Sequence, residues 1–371
     1  MKNITWCNNC ILPNTRPNIV INNNGICNAC INHNSKRSIN WNKKIVILKK
    51  LIKKIKKKSK YGFDCLIPVS GGKDSTWQTY HCLKLGLKPL AFTWKNPGMT
   101  SIGIKNLNNL INLGVEHIQW TINPDVEARF MLKTFKKLGS TAIPMHFAIH
   151  NIATRIAEKF NIPLILWGEN AAFEYGQKLE ADLGSVMSSS WRKYYGVNNG
   201  TIINDWMGDD LKRKDLLSYI PGNNKNNKFI EIFLGSFIEW DPVKIYKFSQ
   251  KIGFKQNNKA RTGIYKFADI DDDFISIHHW MKWYKFGITR DFDNLSLEIR
   301  NGRISRDRAI SILKKKKILT PLEDIKKFCE FAKIKEIIFF SIAEKFRNKK
   351  IWTKKNNKWK INDFLINDWK W

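Results

Sequence analysis

Six residues, Ser70-Gly71-Gly72-Lys73-Asp74-Ser75, constrain this chain more than any other stretch, because of what stands on either side of them. Residues 63–69 are short, mostly apolar and preceded by Gly62, as in a buried strand. Residues 76–85 read as a helix ended by Gly86. The loop therefore opens a helix, where the first backbone N–H groups lack intrahelical partners and carry the positive end of the helix dipole. An anion fits there. Gly71 and Gly72 permit close backbone approach and positive φ, Lys73 adds a full charge, Ser70 and Ser75 offer hydroxyls, and Asp74 can hold Mg²⁺. The pattern is a phosphate cradle, and G-x-x-x-x-G-K-[ST] cannot be laid over it.

The hexapeptide resembles the SGGKDS loop of the ATP pyrophosphatases, which split ATP between its α and β phosphates and adenylylate a substrate oxygen. The flanking chain suits such a domain. Strand-like segments at 63–69, 89–94, 115–121 and 163–167 alternate with helical ones, including 125–138 and 147–160, so a doubly wound, mostly parallel α/β sheet is expected. Ligands of such sheets bind at the carboxyl ends of the strands. That rule gathers the loop, the strand end Thr93-Trp94-Lys95-Asn96 and the turn Gly168-Glu169-Asn170. Backbone groups at Thr93 and Trp94 are placed to meet adenine. Glu169 offers a carboxylate and Asn170 an amide near the reacting end of ATP; a plain strand-ending turn is the other reading of those residues.

Ahead of this domain, Cys7-x-x-Cys10 and Cys27-x-x-Cys30 have the spacing of two knuckles that bring four thiolates to one ion. With all four ligands supplied by cysteine, a structural Zn²⁺ is expected; an iron–sulfur cluster is the other reading. Trp41, Ile45, Leu48, Ile52 and Ile55 then mark one face of a helix whose other positions are largely lysine. Such a helix can lie on a membrane or RNA, or pack its stripe on the next domain, the reading preferred here. Later, Asp241-Pro242 reads as a helix start, residues 242–347 have helical spacing, Trp280, Trp283 and Tyr284 read as core, and 349–371 as a polar, aromatic tail. The expected division is a zinc ribbon at 1–40, a basic linker helix at 41–60, the ATP pyrophosphatase domain at 61–200 and a mostly helical substrate or partner region at 201–371.

A net charge of +32 over 371 residues ordinarily suggests a polyanion partner. Here Lys, Asn and Ile are abundant nearly everywhere, which points to a general bias and leaves nucleic acid an unexpected partner. Met1 to Trp6 lacks an apolar leader core, and no apolar run reaches the roughly 18 residues of a spanning helix. A soluble, cytoplasmic protein with no membrane span is expected, in keeping with Cys65, Cys82 and Cys329 as scattered single thiols.

Taken together, several stretches resemble the N-acetyl sugar amidotransferases of bacterial surface-polysaccharide and flagellin-glycan biosynthesis. They are Cys7 to Cys30 with Leu12-Pro13-Asn14-Thr15-Arg16-Pro17, Pro68 to Ser75, Gly168-Glu169-Asn170 with Glu174-Tyr175-Gly176, Thr262 to Tyr265, and Glu298-Ile299-Arg300-Asn301-Gly302-Arg303-Ile304. The chain departs from that family at Ala171, Ala172 and Gln177, where glycine is usual. The resemblance implies conversion of a sugar's acetamido group to acetamidino with ATP and Mg²⁺. The sugar, free or nucleotide-linked, is adenylylated on its amide oxygen, and ammonia then displaces AMP. Lys73, Asp74 and Glu169 would carry the chemistry; Ser70, Gly71, Gly72, Lys73, Asp74, Ser75, Thr93, Trp94, Gly168 and Asn170 would bind the nucleotide.

No glutaminase is visible. Lys2 stands where an N-terminal nucleophilic cysteine would be, and no cysteine sits in a G-x-C-x-G elbow, so a separate glutaminase subunit is expected to supply ammonia. The rival enzyme is a tRNA-thiolating one, in which zinc knuckles accompany the same loop; those enzymes generally carry further cysteines near the nucleotide, and none stands between Cys82 and Cys329. A zinc-ribbon nucleic-acid-binding module leaves the loop unexplained.

Overall fold

A computed structural model describes residues 4–59, 62–168, 200–223 and 228–371. At its centre is a five-stranded parallel sheet: β1 (Cys65–Pro68), β2 (Pro89–Trp94), β3 (Glu116–Trp120), β4 (Leu164–Trp167) and β5 (Ile230–Phe233), in the spatial order β3-β2-β1-β4-β5. The register pairs Leu66 with Leu90 on one side and with Ile165 on the other. The strand at 230–233, beyond residue 200, was not anticipated from sequence; β4 pairs along its length with it, from Leu164 opposite Ile230 to Trp167 opposite Phe233.

Side chains alternate across the sheet with period two, and each face is buried by its own helices. Leu66, Phe92, Ile165 and Trp167 pack with α5 (Pro124–Leu138) and α6 (Ile143–Lys159). Ile67, Ala91, Leu164 and Leu166 pack on the other side with α2 (Trp41–Lys58), which follows the short α1 (Asn28–Lys36), and with α3 (Lys73–Lys84), α4 (Ser101–Ile111) and α7 (Pro242–Lys251). The basic helix α2 is thus a packing element: Leu48, Ile52 and Ile55 are buried against the sheet, and Lys56 Nζ donates to Gly86 O at 2.8 Å. At α7, Asp241 caps as its sequence suggests, accepting from Val243 N at 2.8 Å and Lys244 N at 3.0 Å.

After α7 come α8 (Ile275–Phe286), α9 (Arg290–Arg300), α10 (Arg306–Lys315), α11 (Leu322–Phe331) and α12 (Glu336–Lys345), which build two further cores. Trp280 is buried, and Trp283 and Tyr284 pack half-buried, in keeping with their reading as core. The end of the chain is more ordered than a tail. Trp352–Lys355 (β6) and Lys358–Ile361 (β7) form an antiparallel hairpin, and Trp352, Ile361, Phe364 and Ile366 share one core with the four knuckle cysteines, Phe292 and Leu295. Small apolar surface at 4–40 is completed by the other end of the chain. No described helix is long and apolar enough to cross a membrane.

Polar ties fix this docking. Arg16, from the knuckle segment, reaches Asp293 on α9 at 2.6 Å, and Lys282 Nζ lies 3.1 Å from the same carboxylate, whose side chain is only 1% exposed. Burial opposes that charge, yet Arg16, Lys282 and Arg290 hold the Asp293 carboxyl far below its ordinary range. Removing a buried ion's partner strands the remaining charges, so Asp293→Ala is expected to cost about 3–5 kcal/mol, read as a lower urea midpoint. A midpoint unchanged from wild type would show that the tie is not structural.

Candidate functional site

The strand order reverses direction between β1 and β4, and the six-residue loop follows β1 at that switch point. Gly72 is the N-cap residue of α3, whose first turn begins at Lys73. Gly71 has φ +83°, and a Cβ there would lie 2.6 Å from Leu107 N and 2.8 Å from Gly103 O, so only glycine lets the loop lie on α4. Ser75 Oγ and Thr76 Oγ1 each donate to Gly72 O at 3.0 Å, and Ser70 Oγ accepts from Gly72 N at 3.3 Å. Lys73, nearly buried, pairs with Asp74 and sits 5.6 Å from the Phe267 ring centroid. Ser249 Oγ, on α7, donates to Lys73 O at 2.8 Å and holds the helix start from behind.

In front of the loop is a cavity of about 240 Å³. Ser70, Gly72, Lys73, Asp74 and Ser75 form one wall. The opposite wall comes from much later in the chain: Trp240, Tyr265, Phe267, Asp269 and Asp271, with Arg290, Asn294 and Leu297 spaced along one face of α9. Tyr246, Phe267 and Tyr265 stack in sequence, with centroids 4.3 and 4.7 Å apart. Tyr265 donates its hydroxyl to Glu298 Oε1; Arg303 grips Glu298 at 2.6 and 2.8 Å and Asp241 at 2.7 Å. The Glu298–Arg303 stretch, noticed in sequence without a role, therefore braces the cavity wall against the cap of α7.

Asp269 adopts φ +56° and meets Thr262, His279 at 3.4 Å and Arg290 at 3.5 Å. Burial works against its charge, but His279 and Arg290 hold the carboxyl well below the usual range. Burial pushes the imidazole of His279 down to about 4, helped by Lys282, so it faces Asp269 as a neutral donor near neutral pH. Asp271 goes the other way: burial raises it, the Ser70 hydroxyl opposes the rise, and the Asp269 and Asp74 carboxylates add to it.

The other sequence candidates are distributed differently. Thr93 and Trp94 end β2 but point into the core: Thr93 Oγ1 donates to Val69 O at 2.7 Å, and the Trp94 indole donates to Glu127 Oε1 at 2.6 Å. Neither lines the cavity. Gly168 ends β4 beside Trp240, where a Cβ would come within 3.1 Å of the indole; its carbonyl accepts from Gly235 N at 3.0 Å. Glu169 and Asn170, with Glu174-Tyr175-Gly176, lie outside the described residues. Sequence reasoning named none of Tyr265, Phe267, Asp269, Asp271, Arg290 or Asn294 as site residues. The available signals were the acidic run 269–273 and the spacing of Arg290, Asn294 and Leu297.

Two metals are implied by the sequence. For Mg²⁺, Asp74 Oδ1, within the six-residue loop, is buried without a hydrogen-bond partner, a fitting ligand for a hard cation. The thiols of Cys7, Cys10, Cys27 and Cys30 all lie within 4.8 Å of one another, with Cys10–Cys27 at 3.7 Å and Cys7–Cys30 at 4.0 Å. A tetrahedron with Zn–S bonds of about 2.3 Å has edges of about 3.8 Å, so the buried cluster is compatible with zinc. Cys7 Sγ accepts from Cys27 N at 3.2 Å, and the Arg300 guanidinium lies 4.0 Å from Cys10 Sγ.

Residues 247–365 match the family model described as LPS biosynthesis protein WbpG-like, C-terminal domain. That segment contributes Tyr265 to Leu297 of the cavity wall. No curated protein matches the sequence. Among solved structures the chain is similar to NMN synthetase from Francisella tularensis, at 14% identity and a TM-score of 0.35, over 76% of this chain and 99% of that one.

Because the cysteines share a core with the C-terminal hairpin, metal loss should be felt well beyond residue 40. Metal analysis of the purified chain is expected to find zinc, and stripping it with a chelator should redden the tryptophan emission as Trp6, Trp283 and Trp352 become wet. Unaltered emission after complete removal would contradict a structural role.

Proposed function

We propose that this chain is an ATP-dependent N-acetyl sugar amidotransferase of bacterial surface-glycan biosynthesis. The observation that carries the reading is the composite cavity: a phosphate loop of the pyrophosphatase pattern on one wall, and on the other a segment matching the WbpG-like model of lipopolysaccharide biosynthesis. The soluble, cytoplasmic setting expected from sequence belongs to the same reading.

The chemistry demands ATP. An amide is a poor electrophile and its oxygen a poor leaving group, so that oxygen must be made to depart as a phosphate ester. The sugar's amide oxygen attacks the α-phosphorus, pyrophosphate leaves, ammonia adds to the activated carbon, and AMP departs with the former amide oxygen. The N–H groups at the start of α3 and the ammonium of Lys73 stabilise charge developing on the leaving pyrophosphate. Asp74 would hold Mg²⁺, which when bound neutralises phosphate charge. Lys73 is already paired with Asp74, and Arg290 with Asp269, so the described cations of the wall have little unbalanced positive charge of their own. The adenine contact at Thr93 and Trp94 uses backbone groups, since both side chains are committed to the core. Roles for Gly168, Glu169 and Asn170 rest on the sequence pattern.

Ammonia is supplied by a separate glutaminase subunit. All seven cysteines are buried, whereas a glutaminase thiolate must be reached by its substrate. The same fact weighs against tRNA thiolation, because no cysteine lines the described cavity.

Incubation with Mg-ATP, ammonium and candidate N-acetylated sugars is expected to yield AMP and a product about 1 Da lighter than the substrate, the exchange of O for NH. ADP in place of AMP would contradict the assignment. Lys73→Ala and Asp74→Ala should each reduce AMP formation by about 10²-fold or more with the fold retained. Full turnover in both would move the site elsewhere. Glutamine should be a substrate only when a glutaminase is added; glutamine hydrolysis by the purified chain at a catalytic rate would overturn the separate-subunit proposal.

A further inference from the structure

Among the described residues three carboxylates line the cavity, and their partners differ. Asp74 pairs with Lys73 through Oδ2. Asp269 is taken by Thr262, His279 and Arg290. Asp271 lies beside the Ser70 hydroxyl at the edge of the phosphate loop, and among the described residues no lysine or arginine pairs with it.

Its position is nevertheless held firmly. Gly103, in the first turn of α4, gives it room: a Cβ there would lie 2.8 Å from Asp271 Cα and 3.1 Å from its carbonyl oxygen. The Asp271 carbonyl accepts from Thr100 N at 3.3 Å, the Ile270 carbonyl accepts from the Thr100 hydroxyl, and Asp273 N donates to Gly98 O at 2.7 Å. A carboxylate fixed against the loop without a cation from the protein is costly unless the ligand supplies one.

Resting on the amidotransferase reading, we propose that Asp271 is the catalytic counter-ion for the cation that forms as ammonia replaces the amide oxygen. In that step the ammonia lone pair forms the new C–N bond, and the π pair of the activated C=N bond moves onto the sugar nitrogen. The new nitrogen passes one proton to that sugar nitrogen, which gave up its own proton to water on adenylylation, so the imidate is neutral until ammonia adds. The C–O bond then breaks with its electron pair leaving on the AMP oxygen, and the remaining nitrogen lone pair completes a planar amidinium. That cation presents parallel N–H donors to a carboxylate, as a guanidinium does. The acetamido substrate is neutral, so Asp271 stabilises what forms in the second half of the reaction more than what enters the first.

The discriminating pair of ligands is the acetamido sugar that supports AMP formation and its acetamidino product. In calorimetric titration the wild-type chain should bind the product about tenfold or more tighter than the substrate. Asp271→Asn should abolish that preference, and Asp271→Glu should keep part of it. In kinetics, Asp271→Asn should slow ammonia-dependent product formation at least about tenfold more than it slows sugar-dependent exchange of pyrophosphate into ATP. A preference retained in the Asn variant, or equal losses in both assays, would overturn the role of Asp271 while leaving the reaction standing. Absence of sugar-dependent exchange in the wild type would overturn the reaction, and this inference with it.

Discussion

The buried carboxylate of Asp293 is the interaction on which the rest of the molecule leans. It receives Arg16 from the cysteine segment, Lys282 from α8 and Arg290 from its own helix, and Arg290 in turn reaches Asp269 in the cavity wall. One side chain thus ties the start of the chain, the C-terminal helices and the candidate site. Such a cluster is stable only when its members are all present, because each charge has surrendered its water.

Helix α9 carries this arrangement by having two working faces. Phe292 and Leu295 sink into the core shared with the cysteines, and Arg290, Asn294 and Leu297 line the cavity. Asn294 Oδ1 also accepts from Ile264 N at 3.2 Å, while a Cβ at Gly263 would collide with it, which sets the path of the aromatic strip Tyr265 to Phe267. The cysteine cluster and the cavity wall are therefore mechanically adjacent. The knuckle is a structural partner of the cavity wall, and Lys36 Nζ, donating to the Trp240 carbonyl, adds a second tie to the same wall.

Much of the α/β half was legible in the sequence because its signals are local. The apolar runs, the terminating Gly86, the Asp241-Pro242 start and the helical segments 125–138 and 147–160 each report on a few neighbouring residues, and β1 to β4 lie where they point. The short strand β5 escaped notice because Ile230 to Phe233 is only four residues long and follows a loop; its identity comes from pairing with β4. The hairpin at 352–361 looked like a polar tail because its lysines alternate with residues whose burial depends on a distant partner.

By itself the sequence determined a glycine-rich loop between strand and helix, a parallel α/β sheet to present it, and four cysteines spaced for one ion. Each of these is written in residues close together along the chain, where sterics and hydrogen bonding act directly. Only the tertiary structure decided what faces the loop. Asp271, Arg290 and Asn294 are some two hundred residues from Ser70, and nothing in their local spacing says which surface they meet. That meeting is set by the close approach of the acidic segment to Gly103 and by the charges gathered at Asp293, contacts that exist only once the chain has closed on itself.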